Sequence, residues 1–119
     1  MKQNVVLEKS VAFSVRIVNL YKYLTNKEHE YVMADQIKRS GTSIGANISE
    51  SQNAQSRADF IHKMNIALKE ADETVYWLTL LKNTKYLTEV EYDSMKRDVE
   101  ELRRLLISII KTSKSRPTT

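Results

Sequence analysis

Proline is nearly absent from this 119-residue chain, and this constrains the fold more than any other sequence feature. The only proline is Pro117, so no earlier position is barred from a helix by a proline ring, which lacks a backbone N–H donor. Apolar residues recur along the chain at spacings of three and four, which is the pattern of one helix face. The sequence therefore predicts an all-α protein.

Both glycines of the chain, Gly41 and Gly45, lie inside a helical pattern formed by three isoleucines. A glycine in a helix interior costs about 1 kcal/mol relative to alanine, so two of them need an explanation. One is a seam of small side chains against which a neighbouring backbone or aromatic ring packs closely; the other is a kink at Gly45. The isoleucines are Ile37, Ile44 and Ile48, and the seam would consist of Ser40, Gly41, Ser43, Gly45 and Ala46.

The apolar pattern divides the chain into four helices, separated by polar segments without periodicity. Ser56 and Thr88 precede the third and fourth helices, and each stands three residues before an acid, which is the spacing of a capping box. Amphipathic helices of this length, joined by short turns, favour an antiparallel up-down-up-down four-helix bundle. The predicted helices cover residues 4–24, 31–51, 57–82 and 89–112 of a single domain at residues 1–112, followed by a flexible basic tail at residues 113–119.

Three of the predicted helices carry more apolar surface than a single core needs. Because a monomer rarely leaves large apolar patches in water, the sequence predicts a homo-oligomer. The predicted core stripes are Val6, Phe13, Ile17, Leu20 and Leu24; Phe60, Met64, Ala67, Ala71, Val75 and Leu78; and Tyr92, Met95, Val99, Leu102, Leu106 and Ile109. The additional apolar surface consists of Leu7, Val11, Val15 and Val18, of Ile66, Trp77 and Leu80 around Glu73, and of residues 105–110.

Charge and composition set outer limits on function. The formal net charge is +4, but Lys111, Lys114 and Arg116 lie in the last nine residues, so a pI near 9.3 permits nucleic-acid binding without implying it. The absence of cysteine excludes thiolate zinc sites, disulfides and a cysteine nucleophile. With no signal-peptide pattern and no long apolar run, we expect a cytoplasmic protein without a membrane partner.

No catalytic or metal-binding constellation is present in the sequence. A di-metal carboxylate site in a bundle needs two Glu-x-x-His motifs and two further glutamates; the nearest match is Asp59 with His62, which occurs once, and His29 lies in a predicted turn. A nucleophile elbow and a phosphate loop are also missing. The sequence therefore predicts a protein that is not an enzyme and holds no metal or cofactor.

Four basic residues are candidates for contact with nucleic acid: Lys38 and Arg39 on the second helix, and Arg57 and Lys63 on the third. Repeated around an oligomer, such cations would multiply phosphate contacts. The alternative is that they belong to solvated faces balanced by acids. No aromatic and basic platform is evident, so we expect contact with the backbone and not with bases. Further cations are Arg97, Arg103 and Arg104, and the balancing acids are Glu50, Asp59, Glu100 and Glu101.

A second candidate set is polar and structural. Asn47 borders the isoleucine stripe, and Glu73 lies among apolar residues, where a carboxylate needs a partner because an unpaired buried charge costs several kcal/mol. Arg39 is a candidate partner, within one subunit or between two. The set predicts a polar clasp that fixes the register of the bundle or of the oligomer; a role in ligand or RNA binding is the alternative. Its members are Asn47, Glu50 and Glu73, with Ile66, Trp77 and Leu80 as packing or interface residues.

Blocks of the sequence resemble a family of small bacterial four-helix bundles, the 23S rRNA intervening-sequence proteins, often labelled ribosomal proteins. The resemblance covers residues 3–112 and is most specific between Gln36 and Glu50. A related bundle is the accessory variability protein of diversity-generating retroelements. The blocks are Gln36-Ile37-Lys38-Arg39-Ser40, Ser43-Ile44, Ala46-Asn47-Ile48, Glu50, Asp59-Phe60-Ile61, Ile66-Ala67, Glu73, Trp77-Leu78 and Tyr86-Leu87-Thr88.

The resemblance implies a four-helix bundle that forms a ring-shaped homopentamer, has no catalytic activity and contacts nucleic acid. This chain departs from the family at Gly45, where many members have proline, and at Ser51, where many have glycine, so the end of the second helix and the following turn are expected to differ. The prediction is a non-catalytic oligomer that contacts RNA or an RNA-associated protein. The alternative is a structural or protein-interaction ring without nucleic acid.

Overall fold

The computed structural model describes residues 4–117 and contains four α-helices: α1 (Val5–Asn26), α2 (Val32–Ser51), α3 (Arg57–Asn83) and α4 (Glu89–Ser115). Each helix packs against the next along the chain, and α1 also packs against α4. The resulting body measures 54 × 22 × 22 Å, which is two helices wide in both short directions. The all-α, four-helix prediction is confirmed, and no strand occurs among residues 4–117.

Capping residues define where α3 and α4 begin. Ser56 Oγ accepts a hydrogen bond from the Asp59 N–H at 3.0 Å. Thr88 forms a full capping box with Glu91, in which each side chain accepts from the other residue's backbone N–H, at 3.1 and 2.9 Å. These bonds satisfy donors that a helix start otherwise leaves without partners.

The fourth helix ends at Ser115, three residues beyond the end expected from the sequence. The expected tail begins at residue 113 because the residues there are polar, but polarity alone does not end a helix. Arg116 is extended, at φ −72° and ψ 141°, as the residue before a proline tends to be. Of the expected tail, residues 118 and 119 lie outside the described part of the chain.

The interior is a continuous apolar core contributed by all four helices. Most of the predicted core residues are buried, but the buried face differs from the prediction in two helices. In α3, Thr74 and Leu81 are buried, whereas the predicted core residues Phe60 and Val75 are half-buried. In α4, Ile110 is buried in place of the predicted Ile109. The reason is that packing between helices sets the rotation of each helix about its axis, and the sequence pattern does not fix that rotation. The largest fully buried side chains are Phe13, Ile17, Leu24, Ile37, Ile44, Ile48, Met64, Leu78, Leu81, Val99, Leu102 and Leu106.

Both glycines of α2 lie against α1. A Cβ added at Gly41 would lie 2.7 Å from Ile17 Cγ1, and one added at Gly45 would lie 3.0 Å from Ser10 Oγ. The close approach of α1 therefore explains both glycines, and α2 continues as one helix through Gly45. The seam is narrower than predicted, since Ala46 is exposed.

Candidate interaction surfaces

Arg39, Glu70, Glu73 and Trp77 form a polar network where α2 packs on α3. Arg39 Nη2 donates to Glu73 Oε2, which also accepts from Trp77 Nε1 at 3.0 Å. Glu70 Oε1 is buried and accepts no hydrogen bond from a described residue; Arg39 Nη1 lies 3.5 Å from it. Of the predicted clasp, the pair Arg39 and Glu73 forms within one chain. Asn47 and Glu50 are not part of it, because Asn47 bonds the Ser43 carbonyl and Glu50 bonds Lys63.

Hydrogen bonding to this network holds the carboxylate of Glu73 in its charged form. The bond from Trp77, followed by the bond from Arg39, lowers the pKa of Glu73 below its ordinary value of 4.5. In turn, the bond to Glu73 raises the pKa of Arg39. A lowered carboxyl pKa stabilises the folded state above the pKa of the unfolded chain, and this stabilisation is lost as the pH falls through the folded-state pKa.

The variant Glu73→Gln is expected to lower the free energy of unfolding at pH 7 by about 1 kcal/mol. The figure is modest because the Glu73 side chain is 35% exposed and solvent weakens the ion pair. Denaturant titrations at several pH values check this, and the difference from the wild type should vanish at acidic pH. A difference that stays constant down to pH 3 would contradict the electrostatic explanation. The control Glu50→Gln, at a carboxylate 60% exposed, should have a smaller effect.

The four cations predicted to contact nucleic acid all have partners within the chain. Lys38 Nζ lies 4.1 Å from the centre of the Tyr21 ring, Arg39 belongs to the network above, and Lys63 Nζ donates to Glu50 at 3.0 Å, which raises the pKa of Lys63. The guanidinium of Arg57 donates to main-chain carbonyls of the C-terminal segment. Arg57 and Glu73, the partner of Arg39, are separated by about 24 Å along α3. The four cations therefore do not form one cluster. Their role in nucleic-acid binding stays a prediction.

The remaining polar and apolar candidates lie on or beside α3. Asn47 Nδ2 donates to the Ser43 carbonyl at 2.9 Å, within its own helix. Ile66, Trp77 and Leu80 are half-buried. Trp77 packs against the core and stacks edge to face on exposed Tyr76, with 4.9 Å between ring centres. Trp77 is therefore a packing residue in the protomer, with one polar bond to Glu73.

A ridge of apolar side chains runs along α1 on the side facing away from the core. Val11 and Val15 are 54% and 56% exposed, and Leu7 and Val18 beside them are half-buried. We call these four residues the valine ridge. It corresponds to the second apolar stripe of α1 predicted from the sequence. Leu7 also contacts the core, and no element of residues 4–117 covers Val11 and Val15.

A second exposed feature, on α4, is basic. Arg97, Arg104 and Lys111 recur every seven residues, are all exposed, and form no salt bridge with an acid anywhere in residues 4–117. We call these three residues the outer stripe. Arg103 differs, because its hydrogen bond to Asp72 at 2.7 Å, assisted by one to Glu100, raises the pKa of Arg103. Sequence reasoning concentrates on α2 and α3 and misses the outer stripe as a unit; the seven-residue spacing opposite the core is the signal that identifies it.

The described residues contain no group of three histidine or carboxylate side chains able to hold a metal ion. Among the same residues, no helix is both long and apolar enough to cross a membrane.

Comparison with known proteins extends over nearly the whole chain. A family model described as 23S rRNA-intervening sequence protein matches residues 2–108. The fold is also similar to a crystal structure, at 1.70 Å resolution, of a protein with unknown function from the S23 ribosomal protein family of Bacteroides thetaiotaomicron. The two chains are 64% identical, the TM-score is 0.91, and the match covers 93% of this chain and 99% of that one. No curated protein matches the sequence.

Proposed function

The chain belongs to the 23S rRNA-intervening sequence protein family, and from this premise we propose that it is a non-catalytic, oligomeric protein of the bacterial cytoplasm that contacts RNA through the outer stripe. The observation that carries the proposal is the alignment of three exposed cations at seven-residue spacing on one face of α4, none with an acidic partner among the described residues. Cations already held by carboxylates gain less from phosphate, because the existing ion pair must first be broken. No ion pair has to be broken before Arg97, Arg104 and Lys111 bind phosphate.

The outer stripe is suited to a nucleic-acid backbone and not to base recognition. Its cations are two helical turns apart, so about 10 Å separates each from the next along α4, and no aromatic side chain lies between them in the sequence. Binding of this kind depends on the release of counterions from phosphates and weakens steeply with salt. We therefore expect little sequence preference and a strong dependence on ionic strength.

The valine ridge supports the oligomeric part of the proposal. Copies of the chain would cover this apolar surface, and we propose that they form a closed ring of five copies, as the family resemblance implies. Each copy would then present one outer stripe, so that an RNA strand meets several stripes at once. Such repetition raises the overall affinity without any new kind of contact.

Replacing Arg97, Arg104 and Lys111 together with alanine is expected to weaken binding of single-stranded RNA about a hundredfold at 0.1 M monovalent salt. Each phosphate contact to single-stranded RNA contributes about 0.7 to the slope of log affinity against log salt. Removing three contacts should lower that slope by about two for each protomer engaged. Fluorescence anisotropy with a labelled RNA, repeated at several salt concentrations, measures both quantities.

The control removes the same amount of charge elsewhere. Lys22, Lys27 and Lys85 are also exposed, and their joint replacement with alanine should leave most of the affinity and slope intact. Equal losses in the two triple variants would mean that net charge, and not the outer stripe, drives binding. The double variant K38A/R39A tests the cations predicted from the sequence, and we expect a smaller loss because both have partners in the chain.

The same measurement decides about the second candidate function, a structural or protein-interaction ring without nucleic acid. That alternative is favoured by the engagement of Lys38, Arg39, Arg57 and Lys63 by groups of their own chain. If the wild-type protein does not bind RNA at low salt, where electrostatic binding is strongest, the RNA proposal fails and the alternative stands.

A further inference from the structure

A cavity of about 470 Å³ lies between the first turn of α3 and the last turns of α4. We call it the end pocket. Its volume falls in the range of pockets that hold small ligands such as a single nucleotide. The residues that line it are Arg57, Phe60, Ser108, Ile109, Thr112, Ser113 and Arg116.

Two arginines and no carboxylate line the end pocket. Arg57 Nη1 and Nη2 donate to the carbonyl oxygens of Arg116 and Pro117, at 2.8 and 2.7 Å. These bonds fix the Arg57 guanidinium in place and hold the C-terminal segment against α3. Three of the five guanidinium N–H donors remain for another acceptor. The nearest acid along α3 is Asp59, whose Oδ2 accepts from the Gln55 N–H at 3.2 Å.

The hydroxyl groups of the end pocket differ from most others in the helices. Thr42, Thr79 and Thr84 donate to the carbonyl four residues earlier in their own helix, at 2.7 to 2.8 Å. In contrast, the side chains of the three pocket hydroxyl residues make no hydrogen bond to any residue in the range 4–117. The pocket thus combines two cations, three hydroxyl groups without a hydrogen-bond partner in residues 4–117, and an apolar wall. The hydroxyl residues are Ser108, Thr112 and Ser113, and the wall is Phe60 with Ile109.

We propose that the end pocket binds the terminal phosphate of an RNA strand, with the terminal nucleoside against Phe60 and Ile109. A terminal phosphate carries a charge of about −1.5 to −2, and an internal phosphodiester carries one negative charge, so two guanidiniums favour the terminal group. Guanidinium groups also match the geometry of phosphate oxygens, and the hydroxyls supply further donors. This inference rests on the proposed RNA contact but concerns different residues of α4 from those of the outer stripe.

The test compares three forms of one short labelled RNA: with a 5′-phosphate, with a 3′-phosphate, and with no terminal phosphate. We expect at least one phosphorylated form to bind the wild-type protein about tenfold more tightly than the unphosphorylated form, which corresponds to about 1.4 kcal/mol. Equal affinities for the three forms would overturn the proposal. Unlabelled adenosine 5′-monophosphate serves as a competitor; if it binds as tightly as the phosphorylated RNA, a free nucleotide and not a strand end is the ligand.

Variants locate the effect in the pocket. R116A and T112V should weaken binding of the phosphorylated form much more than binding of the unphosphorylated form, and so remove the preference; neither residue contributes a buried side chain to the fold. The control K114A removes a neighbouring cation that does not line the pocket and should keep the preference. A preference that survives in R116A and T112V, or that is lost equally in K114A, contradicts the assignment.

The two proposals fail in different ways. The outer-stripe triple variant should weaken all three RNA forms by the same factor and keep their ratio. If the protein binds no RNA at all, calorimetry with adenosine 5′-monophosphate and with adenosine judges the pocket alone. Binding of the nucleotide that is lost in R116A supports a phosphate site, whereas no binding of either compound overturns it.

Discussion

Replacing Gly41 with alanine is expected to destabilise the protein by about 2 kcal/mol, whereas the same change at Gly45 is expected to leave its stability unchanged or to raise it. At Gly41 the new Cβ would lie 2.7 to 2.9 Å from three carbons of Ile17, a side chain with no exposed surface. Overpacking of this kind costs about 1 to 3 kcal/mol, which exceeds the gain of about 1 kcal/mol in helix propensity.

The comparison with Gly45 separates the two effects. There the nearest atom to a new Cβ is the Ser10 hydroxyl oxygen at 3.0 Å, and the next two atoms lie at 3.4 and 3.5 Å. Because these contacts are longer than the three at Gly41, a smaller shift relieves them and more of the gain in helix propensity is retained. Denaturant unfolding at one fixed protomer concentration measures both variants, because the stability of an oligomer depends on concentration. Equal effects at the two glycines would mean that α1 does not lie as close to Gly41 as the structure indicates.

A double-variant cycle tests the cause at Gly41. The single variant I17A should cost about 2 to 5 kcal/mol, because it leaves a cavity beside the glycine. Adding G41A to I17A should then be neutral or stabilising, because the methyl group enters space that Ile17 vacated. If the interaction free energy between the two substitutions is near zero, contact with Ile17 is not the reason that G41A destabilises the protein.

The sequence predicted the number and order of the helices because their signals are local. Periodic apolar residues, the caps at Ser56 and Thr88 and the late position of Pro117 all act within one or two turns. The phase of the core in α3 and α4 was harder, since choosing Ile110 over Ile109 requires knowing how the helices are rotated. That rotation is set by packing between segments distant in sequence.

The candidate surfaces were predicted less completely, for the same physical reason. The sequence indicates Arg39 and Glu73 as candidate partners, but whether they meet within one chain depends on the register of α2 against α3. The end pocket could not be predicted, because Arg57 and Arg116 are brought together only when the start of α3 meets the end of α4. The outer stripe required knowledge of which cations already have acidic partners, and the sequence offers many equivalent choices.

The double variant V11E/V15E is expected to convert the assembly into folded monomers. Both valines are more than half exposed in the protomer, so the substitution should not damage the core. In an assembly covered at the valine ridge, two carboxylates per copy would be buried without partners, at a cost of several kcal/mol each. A total of about 4 kcal/mol per interface already weakens association a thousandfold. Sedimentation equilibrium should give a mass near 13.8 kDa for the variant and a multiple of it for the wild type.

The matched control places the same substitutions on exposed valines away from the ridge. Val32 and Val90 are 72% and 78% exposed and lie in the first turns of α2 and α4, where a glutamate is favoured by the helix dipole. V32E/V90E should therefore keep the wild-type mass, while circular dichroism should show full helix content in both double variants. A wild-type protein that sediments as a monomer would remove the ridge as an interface and, with it, the multiplied phosphate contacts. RNA binding would then have to come from the single outer stripe of one chain, with an affinity and a salt dependence that no longer change with protein concentration.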